Sequence, residues 1–218
     1  MTTVECAALL VDLDGTLVDS GDSVTRAWTR FALEVGRSPE EILAMCHGVR
    51  TTEVIEALDL DEPVMPAALR VESWIVDDGA PPTPGAVELL AALPPTAWAV
   101  VTSSLGPTAR SRFDTTELTP PQFAVTAEDV AVGKPDPACY LMAAERLGVA
   151  PADCVVLEDA PAGIGAGKAA GMTVIAVTTT HVPAELSAAD FVVRDLRSLS
   201  ITSSSPLTIH LRDLQSAH

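Results

Sequence analysis

The chain has 218 residues, with 30 Asp and Glu against 13 Lys and Arg and a formal net charge of -17 at pH 7. Hydrophobic residues make up 48% and charged residues 20%, a globular rather than a disordered profile. So thin a basic complement excludes a nucleic-acid partner, which is held by clustered Lys and Arg. No apolar run approaches the roughly 20 residues of a membrane span.

The N-terminus lacks the basic, then apolar, then small-residue order of a secretion signal. Cys6, Cys46, Cys139 and Cys154 form no C-x-x-C pair. They read as reduced, buried thiols of a cytoplasmic protein rather than as zinc ligands or a disulfide framework. The first element is a strand over Ala7–Leu13, apolar on both faces, as in a parallel sheet covered by helices. No second strand follows at the usual spacing, and residues 20 to 80 read as helices only. Val24, Ala27, Trp28, Phe31, Ala32 and Val35 recur at helical spacing, with Gly36 as a stop. Ser38-Pro39-Glu40-Glu41 opens the next helix, with Ser38 as cap, Pro39 at the first helical position and Glu41 completing a capping box. Gly48 ends that helix. Thr52–Leu58 and Ala67–Val76 follow as helices, and Gly79-Ala80-Pro81-Pro82-Thr83-Pro84-Gly85 is a linker by composition.

Further short strands are expected at 97–101, 123–126, 154–157, 173–177 and 191–193, most of them separated by helical stretches. Alternation of this kind indicates an α/β domain with a mostly parallel sheet. The simplest organisation is a core of residues 1–18 and 81–218 with a helical domain, 19–80, inserted after the first strand. The crossings near 17–20 and 79–84 would be hinges. At the C-terminal end, Ser203–Pro206 is a turn, and Leu207, Ile209 and Leu211 alternate with polar residues, the pattern of a small hairpin.

Four segments carry chemistry. Asp12 and Asp14, in Asp12-Leu13-Asp14-Gly15-Thr16, stand at the end of the first strand and point the same way if the chain stays extended. In an open α/β sheet, ligands sit beyond the carboxyl ends of the strands. Two carboxylates there repel and are costly to bury, and a divalent cation with oxygen ligands, such as Mg²⁺, compensates them. Taken alone, the pair equally suits a turn whose aspartates cap amides. Thr102 and Ser103 follow the strand at 97–101, just before a helix starting near Pro107. Hydroxyls there bind an anion or cap the helix. Lys134, in Gly133-Lys134-Pro135, lies in the loop before a helix that runs from Pro137 to Leu147. Glu158 and Asp159 end the strand at 154–157 and precede a helix with Pro161 in its first turn.

In that order — acid pair, hydroxyl, lysine, acid pair — the segments resemble the haloacid dehalogenase-like (HAD) phosphohydrolase superfamily over nearly the whole chain. The segments at His47–Thr51, Trp98–Ser103 and Glu158–Gly171 look most like its glycerol-1-phosphatase and 2-deoxyglucose-6-phosphatase group. The resemblance implies a Rossmann-like α/β core with an inserted helical cap, and a small phosphorylated metabolite as substrate. It implies Asp12 as nucleophile, Asp14 as general acid and base, and Thr102, the Ser103 amide and Lys134 as phosphate-binding groups. It further implies Mg²⁺ held by Asp12, Glu158, Asp159 and the Asp14 carbonyl. From the cap, Arg50 is the leading candidate for substrate contact, followed by His47 and Thr51. A monomer is the default expectation.

The alternative reading is a β-phosphoglucomutase-like phosphosugar isomerase, disfavoured at one position, and two other relatives by fold are set aside on residues. β-Phosphoglucomutases carry a histidine on the first cap helix in the region of Val24, which has no proton to exchange. Phosphonate hydrolases need a Schiff-base lysine in the cap, and residues 20 to 80 contain none. The second acid and the metal-site acids are intact, which argues against a true dehalogenase. A non-catalytic phosphometabolite-binding protein would not need all the catalytic positions filled, as they are here.

Overall fold

The computed structural model describes residues 2–204 and 206–215. Its centre is a six-stranded parallel sheet in the order β4-β3-β2-β5-β6-β7. The strands are β2 (Ala8–Val11), β3 (Trp98–Val101), β4 (Ala124–Val125), β5 (Cys154–Glu158), β6 (Thr173–Val177) and β7 (Phe191–Val193). β2 lies between β3 and β5, with Leu10 opposite Ala99 on one side and Val156 on the other. Every residue of β2, β3 and β5 is buried, because helices cover both faces of the sheet.

The period of two sorts the side chains into two cores. Leu9, Val11, Val100, Val155 and Leu157 join one, with Leu89 and Leu90 of α5 (Ala86–Ala92). Ala8, Leu10, Ala99, Val101 and Val156 join the other, with Tyr140 and Ala143 of α7 (Ala138–Leu147) and Ile164 of α8 (Pro161–Ala169).

Between β2 and α5 the chain forms four helices: α1 (Gly21–Glu34), α2 (Pro39–Cys46), α3 (Thr51–Ala57) and α4 (Val64–Asp78). They bury a third core of their own, including Trp28, Phe31, Ile42, Ile55 and Val71. The two connections to the sheet domain run side by side. Asp19 N donates to Pro81 O at 2.8 Å and Thr83 N to Leu17 O at 2.9 Å. The Thr83 hydroxyl also donates to Thr16 O at 2.6 Å.

Some local expectations shift. The apolar run at the N-terminus holds only the short β2, and a separate β1 (Thr2–Cys6) precedes it. β1 pairs antiparallel with β9 (Leu207–Leu211), which pairs with β8 (Leu199–Ser204). The expected terminal hairpin therefore forms and is extended by the N-terminal strand. Part of its turn, at Ser205, lies outside the described residues. Ser38 has the extended backbone of a cap but its side chain makes no capping hydrogen bond. The described capping box belongs instead to Thr126 and Asp129. α2 ends at Cys46, before Gly48. α6 (Gly106–Asp114) forms near Pro107 as anticipated.

Phe31 is fully buried in the helical core. Its replacement by Ala is expected to cost about 3–5 kcal/mol, read as a lower urea midpoint with a first transition confined to the helical segment.

Candidate active site

Parallel strands deliver their carboxyl ends to one edge, and the chemistry-bearing side chains gather there. Asp12 follows β2, Thr102 follows β3, Glu158 ends β5, Asp159 comes next, and Lys134 arrives from the loop before α7. The Lys134 ammonium is at the centre. It donates to Asp12 Oδ1 at 2.6 Å, to Glu158 Oε1 at 2.6 Å and to Val101 O at 3.0 Å. All four charged groups, Asp12, Lys134, Glu158 and Asp159, are buried.

Each acid is fixed by further partners. Glu158 Oε1 accepts from the Tyr140 hydroxyl at 2.7 Å, and Oε2 from the Asp159 amide at 3.1 Å. Asp159 accepts from Thr16 Oγ1 at 3.1 Å and from the Thr180 hydroxyl. Asp14 accepts from Ser104 Oγ at 2.7 Å and from Arg112 Nε at 3.0 Å. Two glycines make room. A side chain at Gly15, where φ is +87°, would collide with the Asp159 carboxylate, and one at Gly163 would overlap the Glu158 carboxylate.

The electrostatics are unbalanced. Three buried carboxylates face one ammonium, and they press on one another. Burial pushes the Asp12 carboxyl well up; Lys134 pulls it down, while Glu158 and Asp159 push it further. Asp159 is pushed up to about 7, by burial and then by Glu158, against its Thr180, Thr16 and Lys134 contacts. Burial alone would lower the Lys134 ammonium, but Asp12 and Glu158 outweigh it and hold it charged. One oxygen from each of Asp12, Glu158 and Asp159 lies within 4.8 Å of the others. A hard divalent cation fits such an all-oxygen set and cancels the surplus charge.

Over this edge lies a cavity whose floor includes Asp12, Asp14, Thr102 and Asp159, and whose roof includes Trp28 and Val49 from the helical segment. Thr102 donates its amide to Val125 O at 2.9 Å and accepts from the Ser104 amide on Oγ1 at 3.0 Å. The Ser103 hydroxyl is used to bind Gly48 O at 2.8 Å, tying sheet loop to helical segment.

Of the three helical-segment residues, His47 and Thr51 line the cavity and Arg50 does not. Arg50 turns to the sheet domain, donating to the carbonyls of Ala127, Val130 and Ala131 at 3.2, 2.9 and 3.0 Å. It also pairs with Glu53 at 2.5 Å. The guanidinium so bound joins the two parts, and Arg50 lines a small second pocket with Thr102, Ser103 and Lys134. The His47 ring meets His181 edge to face at 5.8 Å between centroids, and burial, then His181, lower its basicity.

Sequence reasoning missed Tyr140, Thr180, Ser104, Arg112 and Glu72. Ser104 directly follows the Thr102–Ser103 segment already singled out. Tyr140, Arg112 and Glu72 lie within helices, where a polar residue on the buried face is the available signal. Thr180 follows β6 with no motif around it.

The model of the haloacid dehalogenase-like hydrolases matches residues 6–171. The chain belongs to this family. It is 40% identical to hexitol phosphatase A of Escherichia coli, over 91% of this chain and 95% of that one. It is 35% identical to 2-deoxyglucose-6-phosphate phosphatase 1 of Saccharomyces cerevisiae, over 90% of both. Among solved structures, a hydrolase from Pseudomonas syringae superimposes with a TM-score of 0.78 at 25% identity, covering 87% of this chain and 94% of that one.

The raised acids give this HAD-family protein a pH signature. A carboxyl whose folded value exceeds its unfolded value binds more protons folded, so stability falls as pH rises. Asp159, up from 3.8 to about 7, contributes stability below pH 3.8 that is lost by pH 7. In chelator, the melting temperature is therefore expected to fall between about pH 4 and 7. At pH 7.5 a divalent cation should raise it again, and D159N should flatten the chelator profile.

Proposed function

We propose that this chain is a Mg²⁺-dependent phosphatase that hydrolyses a small sugar or polyol phosphate monoester through an aspartyl-phosphate on Asp12. One observation carries the reading: Asp12 and Asp14 converge on one cavity with opposite surroundings. Asp12 is buried against Lys134, and Asp14 is held at the cavity by Ser104 and Arg112. The names of the hexitol and deoxyglucose phosphate phosphatases it resembles support the substrate class.

Lys134 engages Oδ1 of Asp12, so the other carboxylate oxygen attacks phosphorus. The ester P–O bond breaks and Asp14 delivers its proton to the departing alcohol. Asp14 then takes a proton from the water that cleaves the acyl phosphate, releasing inorganic phosphate and restoring Asp12. Thr102 and the Ser103 amide hold the phosphate oxygens, and Lys134 offsets their charge. Asp12, Glu158, Asp159 and the Asp14 carbonyl hold Mg²⁺, which supplies charge neutralisation for the phosphoryl group when bound.

Residues 19–80 act as a cap that closes over the site, with the paired connectors at 17–20 and 79–84 as hinges. Their separate core and the side-by-side crossings support this division. Closure excludes water from the acyl phosphate. Val24 on the cavity wall offers no acid or base for a second proton transfer, which favours hydrolysis over phosphoryl shuffling within a sugar. The enzyme so read works in the cytoplasm, on a small metabolite.

Phosphate release from sugar and polyol phosphates is expected with Mg²⁺ and not with EDTA. D12N should abolish it. D14N should slow it by about 10²–10⁴-fold, with covalent phosphate retained on the protein after acid quench. Turnover by D12N, or release independent of divalent cation, would reject the reading.

A further inference from the structure

Glu72 belongs to α4, yet its carboxyl reaches the roof of the catalytic cavity. It is 3% exposed. Its Oε1 accepts from the Thr51 hydroxyl at 2.6 Å, and Thr51 lines the same cavity. Its Oε2 is buried without a hydrogen-bond partner among the described residues. A buried carboxylate oxygen left unpaired costs free energy that a donor would recover. The Thr108 hydroxyl of α6 also acts on the carboxyl, but no donor makes a well-formed hydrogen bond to Oε2 among the described residues, and Glu72 borders the cavity that Asp14 also lines.

The surrounding charges sharpen the point. Neither Lys nor Arg is among the residues that line this cavity. Arg112 is buried outside the cavity lining and pairs with Asp14, with Nε and Nη2 both at 3.0 Å from Oδ1. The leaving-group side of the cavity therefore carries two acids, Asp14 and Glu72, beside apolar walls such as Trp28, Val24 and Ile75. Such a wall attracts hydroxyl donors on a short carbon chain and repels a second anionic group.

We propose that Glu72 is a specificity-determining residue, which accepts a hydrogen bond from a hydroxyl of the leaving alcohol and excludes leaving groups bearing a carboxylate or second phosphate. This assignment rests on the phosphatase reading above. It narrows the substrate class to neutral polyhydroxy alcohols esterified by a single phosphate. Burial pushes the carboxyl up to about 7, with the Thr108 and Thr51 hydroxyls and Arg112 opposing and the Asp14 charge adding. In both protonation states Glu72 retains an acceptor oxygen for a hydroxyl donor, whereas the exclusion of anions needs the ionised form, so the assays are run at about pH 8.

The test is a three-carbon series: glycerol 1-phosphate, n-propyl phosphate without hydroxyls, and 3-phosphoglycerate with a carboxylate in place of the terminal CH₂OH. p-Nitrophenyl phosphate serves as a reference. Wild type should favour glycerol 1-phosphate over each analogue by about tenfold or more in kcat/KM, the size of one charge-assisted hydrogen bond or one like-charge contact. In E72L the preference over propyl phosphate should collapse to within about threefold. E72Q keeps an acceptor but loses the charge, so it should keep part of the hydroxyl preference and relax the bias against 3-phosphoglycerate. A purely structural Glu72 would lower all substrates together and leave the ratios unmoved. Unmoved ratios in both variants, or a wild type that prefers the carboxylate, would overturn the assignment while leaving the phosphatase reading intact. Absence of release from every compound, the aryl phosphate included, would overturn the phosphatase reading and this inference with it.

Discussion

The site is organised by a charge surplus: three carboxylates buried around a single ammonium. Nothing in a folded chain tolerates that arrangement without a reason, because each desolvated charge costs several kcal/mol unless paired. Lys134 compensates part of the surplus by bonding Asp12 and Glu158 together. The remainder is a surplus that a divalent cation would cancel. Much of the nearby architecture serves to hold these charges in place: a tyrosine and two amides on Glu158, two threonines on Asp159, and glycines where a methyl group would intrude. The parallel sheet provides the frame, since only parallel strands bring several carboxyl ends to one edge.

The two parts of the molecule meet across the same place. Gly48 O, at the turn between α2 and α3, receives the Ser103 hydroxyl, and Arg50 grips three carbonyls of the sheet domain. Glu53, also on α3, accepts from the Gly133 amide at 2.8 Å, next to Lys134. The helical segment is thus fastened to the very loops that carry Ser103 and Lys134. Contacts of this polar kind are individually modest and water-exchangeable, unlike a shared hydrophobic core. The helices bury a separate apolar core of their own, so the segment would keep its shape if those ties opened in the proposed closure.

The two aspartates of the first motif sit in contrasting environments that suit the different roles proposed for them. Asp12 has the ammonium and the acids as neighbours and is withdrawn from solvent. Asp14, two residues on, faces a hydroxyl and a guanidinium and is partly accessible, with a side-chain exposure of 20%. A nucleophile benefits from a fixed, desolvated position, and a proton carrier from contact with the alcohol and with water.

Much of this was legible in the sequence because it is local. The apolar runs marked the parallel strands, and the lack of any strand between residues 20 and 80 marked the helical insertion. Asp12, Asp14, Thr102, Lys134, Glu158 and Asp159 each stand at a strand end or in a loop before a helix, and there spacing is enough to locate them. β1 escaped because its partner, β9, lies some two hundred residues away and its exposed face carries little apolar pattern. The direction of Arg50 could not be read from its place in a loop, because it depends on carbonyls some eighty residues on. Glu72 and Arg112 were invisible for the same reason: a charged residue within a helix is ordinarily a solvated one, and only packing of α4 against α6 takes both out of water. The sequence alone determined the fold class and the catalytic strand ends, since these follow from short-range periodicity and turn chemistry. The tertiary structure decided which polar side chains face the cavity and which tie its walls together, since that is a matter of direction across contacts that no local spacing encodes.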